Sequence, residues 1–146
     1  MNDIYYFAYG MNTNLSGMAG RCPGAVSLGY AVLKNYKFRF AVHADIIQSE
    51  QEQVDGVLWL INSEHLVTLD EQEGYPWYYD RKEVEVEHNG KKVTATVYFM
   101  QPGNICKMPN DSYLNSILEG YSKNSVPTEQ VIKALNVVKK QQDFVA

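Results

Sequence analysis

The spacing of apolar positions along this chain changes period several times, and each change marks an element. Residues 3–10, Asp-Ile-Tyr-Tyr-Phe-Ala-Tyr-Gly, are mostly strand formers, and Gly10 ends the run. Met11 to Asn14 then reads as a loop, with Asn12, Thr13 or Asn14 capping a short helix that reaches about Gly20. Residues 26–41 predict a second strand region, in which alternation puts Tyr36, Phe38 and Phe40 on one face and Lys37 and Arg39 on the other. The polar, acidic stretch 43–53 predicts a surface loop, and Val54 to Ile61 predicts a strand. Asn62 or Ser63 caps the next helix, with Glu64 in its first turn. That helix runs to about Gln72 or Glu73, where Gly74 and Pro76 stop it.

Trp77 to Glu87 alternates as a strand, Asn89-Gly90 is a hairpin turn, and Val93 to Met100 is the partner strand. Its inward set is Val93, Ala95, Val97 and Phe99, or the opposite register. Two helices follow, over 111–121 and 127–143, joined near Pro127. Tyr113, Ile117 and Tyr121 share one face of the first. Val131, Leu135 and Val138 do so on the second, which predicts a packing helix for the tail. The order of elements predicts one α+β domain spanning 1–146, with a closed or nearly closed sheet.

Composition narrows the function classes. Hydrophobic residues make up 45% and charged residues 21% of the 146, an ordinary globular balance. Eleven tyrosines against five phenylalanines suit strands whose side chains edge a polar pocket, because tyrosine joins an apolar ring to a polar tip. With a net charge of −4 and no basic stripe, the chain gives no sign of nucleic-acid binding. No apolar run is long enough to span a bilayer, and Met-Asn-Asp-Ile-Tyr lacks the basic start and apolar core of a signal peptide, so no membrane partner and a cytoplasmic location are expected. Two cysteines, Cys22 and Cys106, argue against a disulfide framework, and neither they nor His43, His65 and His88 have metal-site spacing; no metal and no cofactor are expected. The histidines read as loop-side or exposed positions, and Cys22 reads as a small buried hydrophobe.

Helix phase singles out one acid in the run Asp70-Glu71-Gln72-Glu73. Glu73 lies four residues beyond Leu69 and seven beyond Leu66, on the same apolar face, whereas Glu71 points elsewhere. It also sits in the helix's last turn, where a negative charge opposes the macrodipole. Burial and the dipole both raise its pKa toward the range useful to an acid–base catalyst. The competing reading has Glu73 fraying into solvent or pairing with Arg81. A second candidate is Tyr6-Phe7-Ala8-Tyr9-Gly10-Met11-Asn12: a strand ending in glycine before a helix exposes backbone N–H groups that can bind a carboxylate or an oxyanion, although such a turn also needs a glycine for plain geometry.

Together these segments resemble the γ-glutamylcyclotransferase family, including its AIG2-like and γ-glutamylamine branches. Tyr6 to Asn12 resembles the family's N-terminal Tyr-Gly-Ser-Asn loop. Leu69-Asp70-Glu71-Gln72-Glu73-Gly74-Tyr75-Pro76, followed by Tyr79 and Arg81, is a second match, and Pro109 to Gly120 is a third. Arg21-Cys22-Pro23-Gly24-Ala25 and Gly56-Val57-Leu58-Trp59 add weaker similarity. The resemblance implies a small mixed, mostly antiparallel β-barrel with flanking helices. It implies Glu73 as the catalytic acid/base and Tyr6, Phe7, Ala8, Tyr9, Gly10, Met11, Asn12, Tyr79 and Tyr113 as substrate-binding residues. The implied reaction converts a γ-glutamyl amino acid or γ-glutamylamine to 5-oxoproline and a free amino acid or amine, in a monomer or homodimer whose partner is that small molecule. Met11 stands where the family loop usually has Ser, so the alternative is an altered or inactive member that binds a small carboxylate metabolite.

Overall fold

The structure is a computed structural model that describes residues 3–145, with side chains described through residue 141. Five strands close into a barrel: β1 (Ile4–Ala8), β2 (Val26–Ala41), β3 (His43–Ile61), β4 (Tyr79–His88) and β5 (Lys91–Met100), in the order β1-β3-β2-β4-β5. All neighbours are antiparallel except β1 and β5, which close the barrel in parallel at Tyr6↔Thr96. Four helices flank it: α1 (Leu15–Arg21), α2 (Ser63–Glu73), α3 (Asp111–Lys123) and α4 (Glu129–Val145). The α+β barrel implied by the resemblance is therefore the observed architecture.

The stretch 43–53 is not a surface loop, as its polarity predicts, but the first half of β3. It pairs with β2 from Ala41↔His43 to Tyr36↔Gln48, and after an interruption from Lys34↔Gln53 onward. Most of Gln48–Gln53 is exposed, so no apolar alternation betrays the strand. Its irregularity is confined to the register shift between Lys34 and Tyr36, opposite Ser49–Glu52, where Asn35 and Gln51 both take positive φ. The strand expected from Trp77 begins instead at Tyr79, because Trp77 and Tyr78 complete the turn that follows α2, with both amides donating to Gly74 C=O.

Helices α1, α2 and α3 are capped by partners for their terminal groups. Asn14 caps α1 by accepting from Gly17 N–H, and Asn110 caps α3 by accepting from Tyr113 N–H. At α2 the Asn62 side chain accepts from His65 N–H while Asn62 N–H donates to His65 Nδ1, a reciprocal box in which histidine takes the place usual for Glu or Gln. His65 Nε2 then bonds Pro23 C=O at 2.7 Å. His65 is thus buried and structural, which corrects its reading as an exposed residue. Gly74 closes α2 in the left-handed conformation (φ 66°, ψ 35°), which a side chain would resist.

The core runs through the barrel, with Phe7, Val54, Val57, Leu58, Val86 and Val97 sealed from solvent. Ala95 and Val97 are buried as the inward register predicts, but Thr96, Tyr98 and Met100 are buried too, because helices and the pocket cover the barrel's outer face there. Met18, Leu69, Ile117 and Tyr121 carry the helices onto this core, and α4 lies on β2 through Val131, Ala134 and Val138. Gly120 brings α3 against the turn after β1: a Cβ there would sit 2.3 Å from Thr13 Oγ1 and 2.7 Å from Asn14 N.

Candidate functional site

β1 delivers Tyr6 and Phe7 to the rim of the barrel, and the chain then bends through Tyr9 and Gly10 into a single 3₁₀ turn, Met11–Thr13. Thr13 is the first residue whose amide donates within that turn, to Gly10 C=O. The amides of Met11 and Asn12 precede it and, like the first amides of any helix, have no partner within the turn. Tyr121 Oη holds the bend by donating to Tyr9 C=O at 2.6 Å, and Gln130 of α4 donates to the same hydroxyl.

Opposite this bend, α2 presents its last turn. His65 and Leu69 are buried and Glu73 continues their line at four-residue spacing, so the side chain leaves the helix into a cavity of about 150 Å³. The cavity is lined by Tyr6, Phe7, Tyr9, Gly10, Met11, Asn12, Tyr79 and Tyr113 of the expected set, together with Glu73. His43, Ala44, Gln72, Tyr78 and Tyr98 complete the wall. Ala8 is the exception among the expected residues. It is buried and paired with Val57, but it does not line the cavity.

The tyrosine tips tie the far wall together. Tyr79 Oη donates to Ala44 C=O at 2.5 Å, Ala44 N–H donates to Tyr113 Oη at 2.9 Å, and Tyr9 Oη donates to Tyr98 C=O at 2.8 Å. His43, read from sequence as loop-side, lies in the wall with Nδ1 2.8 Å from Tyr78 Oη and its ring edge-on to Tyr113. What puts it there is the one-residue connection between β2 and β3: Val42 has φ 68°, rare for a β-branched residue, and its amide donates to Lys107 C=O. Asp45, fully buried, locks the following residues by accepting from Arg39 Nε at 2.7 Å and from Met100 N–H at 2.8 Å. No sequence signal marks such a turn.

Glu73 has one side-chain hydrogen-bond partner among the described residues, Asn12 Nδ2 at 3.3 Å. Arg81, the alternative partner, is bound to Asp70 instead, through Nε at 2.9 Å and Nη2 at 3.3 Å. Among the described residues no Lys or Arg lines the cavity. Burial therefore pushes the Glu73 carboxyl from an ordinary 4.5 up to about 7, against a smaller opposing pull from Arg21. Burial likewise raises the hydroxyls of Tyr6, Tyr9, Tyr79 and Tyr113 and lowers the His43 imidazole, so near neutral pH the wall offers neutral donors and acceptors. Cys22 is buried, with its thiol raised by desolvation and 3.9 Å from His65 C=O, as a packing residue would be. Among the described residues no cluster of His, Cys, Asp and Glu could hold a metal ion, and no helix is long and apolar enough to cross a membrane.

This geometry can be set beside known proteins. Residues 6–121 match the family described as "Gamma-glutamyl cyclotransferase, AIG2-like". The chain is 33% identical to the Gamma-glutamylcyclotransferase of Homo sapiens and 32% identical to that of Mus musculus, each match covering 85% of this chain and 73% of the relative. A solved structure named Gamma-glutamyl cyclotransferase superposes with a TM-score of 0.82 at 31% identity, over 91% of this chain and 86% of that one. The matched span runs from the β1 tyrosine at the cavity rim to the α3 tyrosine that anchors the bend, so the likeness takes in the site as well as the barrel: the chain belongs to the Gamma-glutamyl cyclotransferase, AIG2-like family.

Proposed function

We propose that this protein closes the γ-glutamyl group of a γ-glutamyl amino acid or γ-glutamylamine into 5-oxoproline, with Glu73 moving the protons. The observation that carries the reading is a desolvated carboxyl that shares one small cavity with the residues of the β1–α1 bend, Tyr9 to Asn12. In the substrate the α-ammonium is both the proton source and the masked nucleophile. An α-amino group ordinarily titrates near 7.7–8.0. Transfer of its proton to a carboxyl at about 7 is uphill by about one unit, against more than three for an ordinary glutamate. The freed amine attacks its own γ-carbonyl, forming the lactam C–N bond, and the amide C–N bond to the departing group then breaks. Two protons leave the attacking nitrogen and both end on the departing amine, so Glu73 is restored and no water is consumed.

Because the nucleophile is tethered, holding the glutamyl chain folded in the cavity supplies much of the rate. The amides of Met11 and Asn12 are suited to receive the oxyanion that develops on the γ-carbonyl, at a bend held from behind by Tyr121. The test is a panel of γ-glutamyl dipeptides and γ-glutamylamines scored for 5-oxoproline. Release of 5-oxoproline by the wild type and its near-absence in Glu73→Gln is the expected result, and equal turnover by the two would remove Glu73 from the chemistry.

Met11 favours a second reading, in which the cavity binds a small carboxylate with turnover altered or lost. Met11 lines the cavity, and its thioether is at best a weak acceptor. Calorimetric binding of 5-oxoproline or glutamate, with no product from any member of the panel, is the outcome that selects this reading.

A further inference from the structure

We propose that Arg21 is a positioning residue for Glu73: its guanidinium holds the Asn12 amide with the NH₂ turned toward the carboxyl, placing a positive charge one side chain away without a direct ion pair. The proposal rests on the reading of Glu73 as the proton-transfer group.

Asn12 is almost fully buried, at 3% exposure, and both ends of its amide are occupied. Arg21 Nη2 donates to Asn12 Oδ1 at 2.8 Å. Asn12 Nδ2 donates to Tyr6 Oη at 2.9 Å and to Glu73 Oε1 at 3.3 Å. Turning the amide over would set its oxygen against the carboxylate and its NH₂ against the guanidinium, two repulsive contacts in a site with little solvent to screen them. The guanidinium therefore decides which end of Asn12 meets Glu73. Asn12 accordingly holds the carboxyl rather than reaching for substrate.

The surroundings are arranged for this contact. Arg21 is the last residue of α1, where a basic side chain suits the helix dipole and solvent lies within reach. It folds back instead, and its Nε is buried without a protein partner. The space it occupies exists because position 17, one turn earlier, has no side chain: a Cβ on Gly17 would lie 2.8 Å from Nη2 and 3.2 Å from Nη1. A protein wanting only a stable helix would have no use for this combination of a glycine and an inward arginine in a seven-residue helix.

The interposed amide has a chemical consequence. A direct fork between guanidinium and carboxylate would hold Glu73 as a firm anion and a poor base. Complete removal of the cation would leave desolvation unopposed and keep the carboxyl protonated at neutral pH. The groups facing Glu73 from the other elements are Tyr6 and Tyr9 from β1 and the bend, His43 from β3, and Tyr78 and Tyr79 at the start of β4. Tyr98 from β5 and Tyr113 from α3 complete the ring. None is a cation when the imidazole is neutral, so Arg21 supplies the positive charge that partly offsets burial.

The experiment measures the pH dependence of kcat/KM for 5-oxoproline release by the full chain, for wild type, Arg21→Met, Arg21→Lys and Gly17→Ala. Arg21→Met is expected to move the acidic limb up by about one pH unit and to lower kcat/KM at pH 7 about fivefold, with the deficit closing above pH 8.5 and KM little changed. Arg21→Lys should restore the limb, because charge is kept, but not the full rate, because the bond to Asn12 Oδ1 is re-aimed. Gly17→Ala, which crowds the guanidinium without removing its charge, should fall between the two and keeps the test decisive should Arg21→Met fold poorly. An unmoved limb in folded Arg21→Met, or a uniform rate loss at every pH, overturns the proposal. If the wild type releases no 5-oxoproline, the Glu73 reading has failed on its own. The titration is then read from the pH dependence of unfolding, as wild type minus Glu73→Gln, with and without Arg21→Met. A midpoint that Arg21→Met leaves unchanged overturns the positioning role there as well.

Discussion

Asp70 and Glu73 stand three residues apart on α2, and the two sides of that helix end treat their carboxyls in opposite ways. Asp70 is met by Arg81 through Nε and Nη2 and accepts from Tyr98 Oη at 2.6 Å, while Arg81 itself stacks on the Tyr75 ring. Glu73 faces the cavity, where one amide donor touches it and the nearest guanidinium stops at that amide. The first carboxyl is fully paired and fastens α2 to β4 and β5. The second is desolvated without matching compensation, an arrangement that costs stability and is therefore informative about chemistry. Folding raises the Glu73 pKa above its unfolded value, so between pH 4.5 and about 7 the folded state binds more protons than the unfolded one, and stability falls as pH rises through that window. Above it, the penalty of holding the anion is roughly 3 kcal/mol.

That contrast can be broken or sharpened by substitution. The largest effect is expected from Glu73→Gln, which should lower kcat for 5-oxoproline formation by about 10²–10⁴-fold while leaving the circular dichroism spectrum intact. A loss of the same size in Asp70→Asn would erase the distinction between the two acids. Next, Glu73→Gln should be more stable than wild type at pH 8 by up to about 3 kcal/mol and nearly equal to it at pH 4, as measured by urea unfolding at both pH values. Destabilisation at pH 8 would mean that the anion is well paired after all. Asp70→Asn should show the reverse pattern, losing about 1–3 kcal/mol of unfolding free energy at pH 7 because Arg81 and Tyr98 are left short of an acceptor, with kcat/KM within about tenfold of wild type. The smallest effect is expected from Met11→Ser, whose new hydroxyl should change kcat/KM on the best substrate by less than about tenfold, the scale of one hydrogen bond.

The same comparison shows what the sequence could and could not disclose. Glu73 was legible because a helix imposes its period: Leu66 and Leu69 define the buried stripe and the acid falls on it. Asp70 was not legible as a half-buried partner, since its companions Arg81 and Tyr98 arrive from strands β4 and β5 and local spacing is silent about them. The Asn89-Gly90 hairpin was legible for the same local reason, as both residues adopt the positive φ that their types favour. His43 was hidden because its place depends on Val42 at φ 68°, a conformation that a β-branched residue gives no reason to expect. The polar half of β3 was hidden because a ribbon exposed along much of its length need not alternate. Arg21 left one faint trace, a glycine four residues before it, which acquires meaning only once the guanidinium is seen in the space that Gly17 leaves.

The protonation of the Glu73 side chain decides whether it can serve as the base, and carbon-13 NMR of the labelled glutamate carboxyls reads it directly, with Glu73→Gln identifying the resonance. A titration midpoint near 7 for Glu73, well apart from the exposed glutamates, is the predicted result. A midpoint near 4.5, merged with the surface carboxyls, would show a hydrated or well-paired anion and contradict the claim that the cavity holds this acid poised for proton transfer.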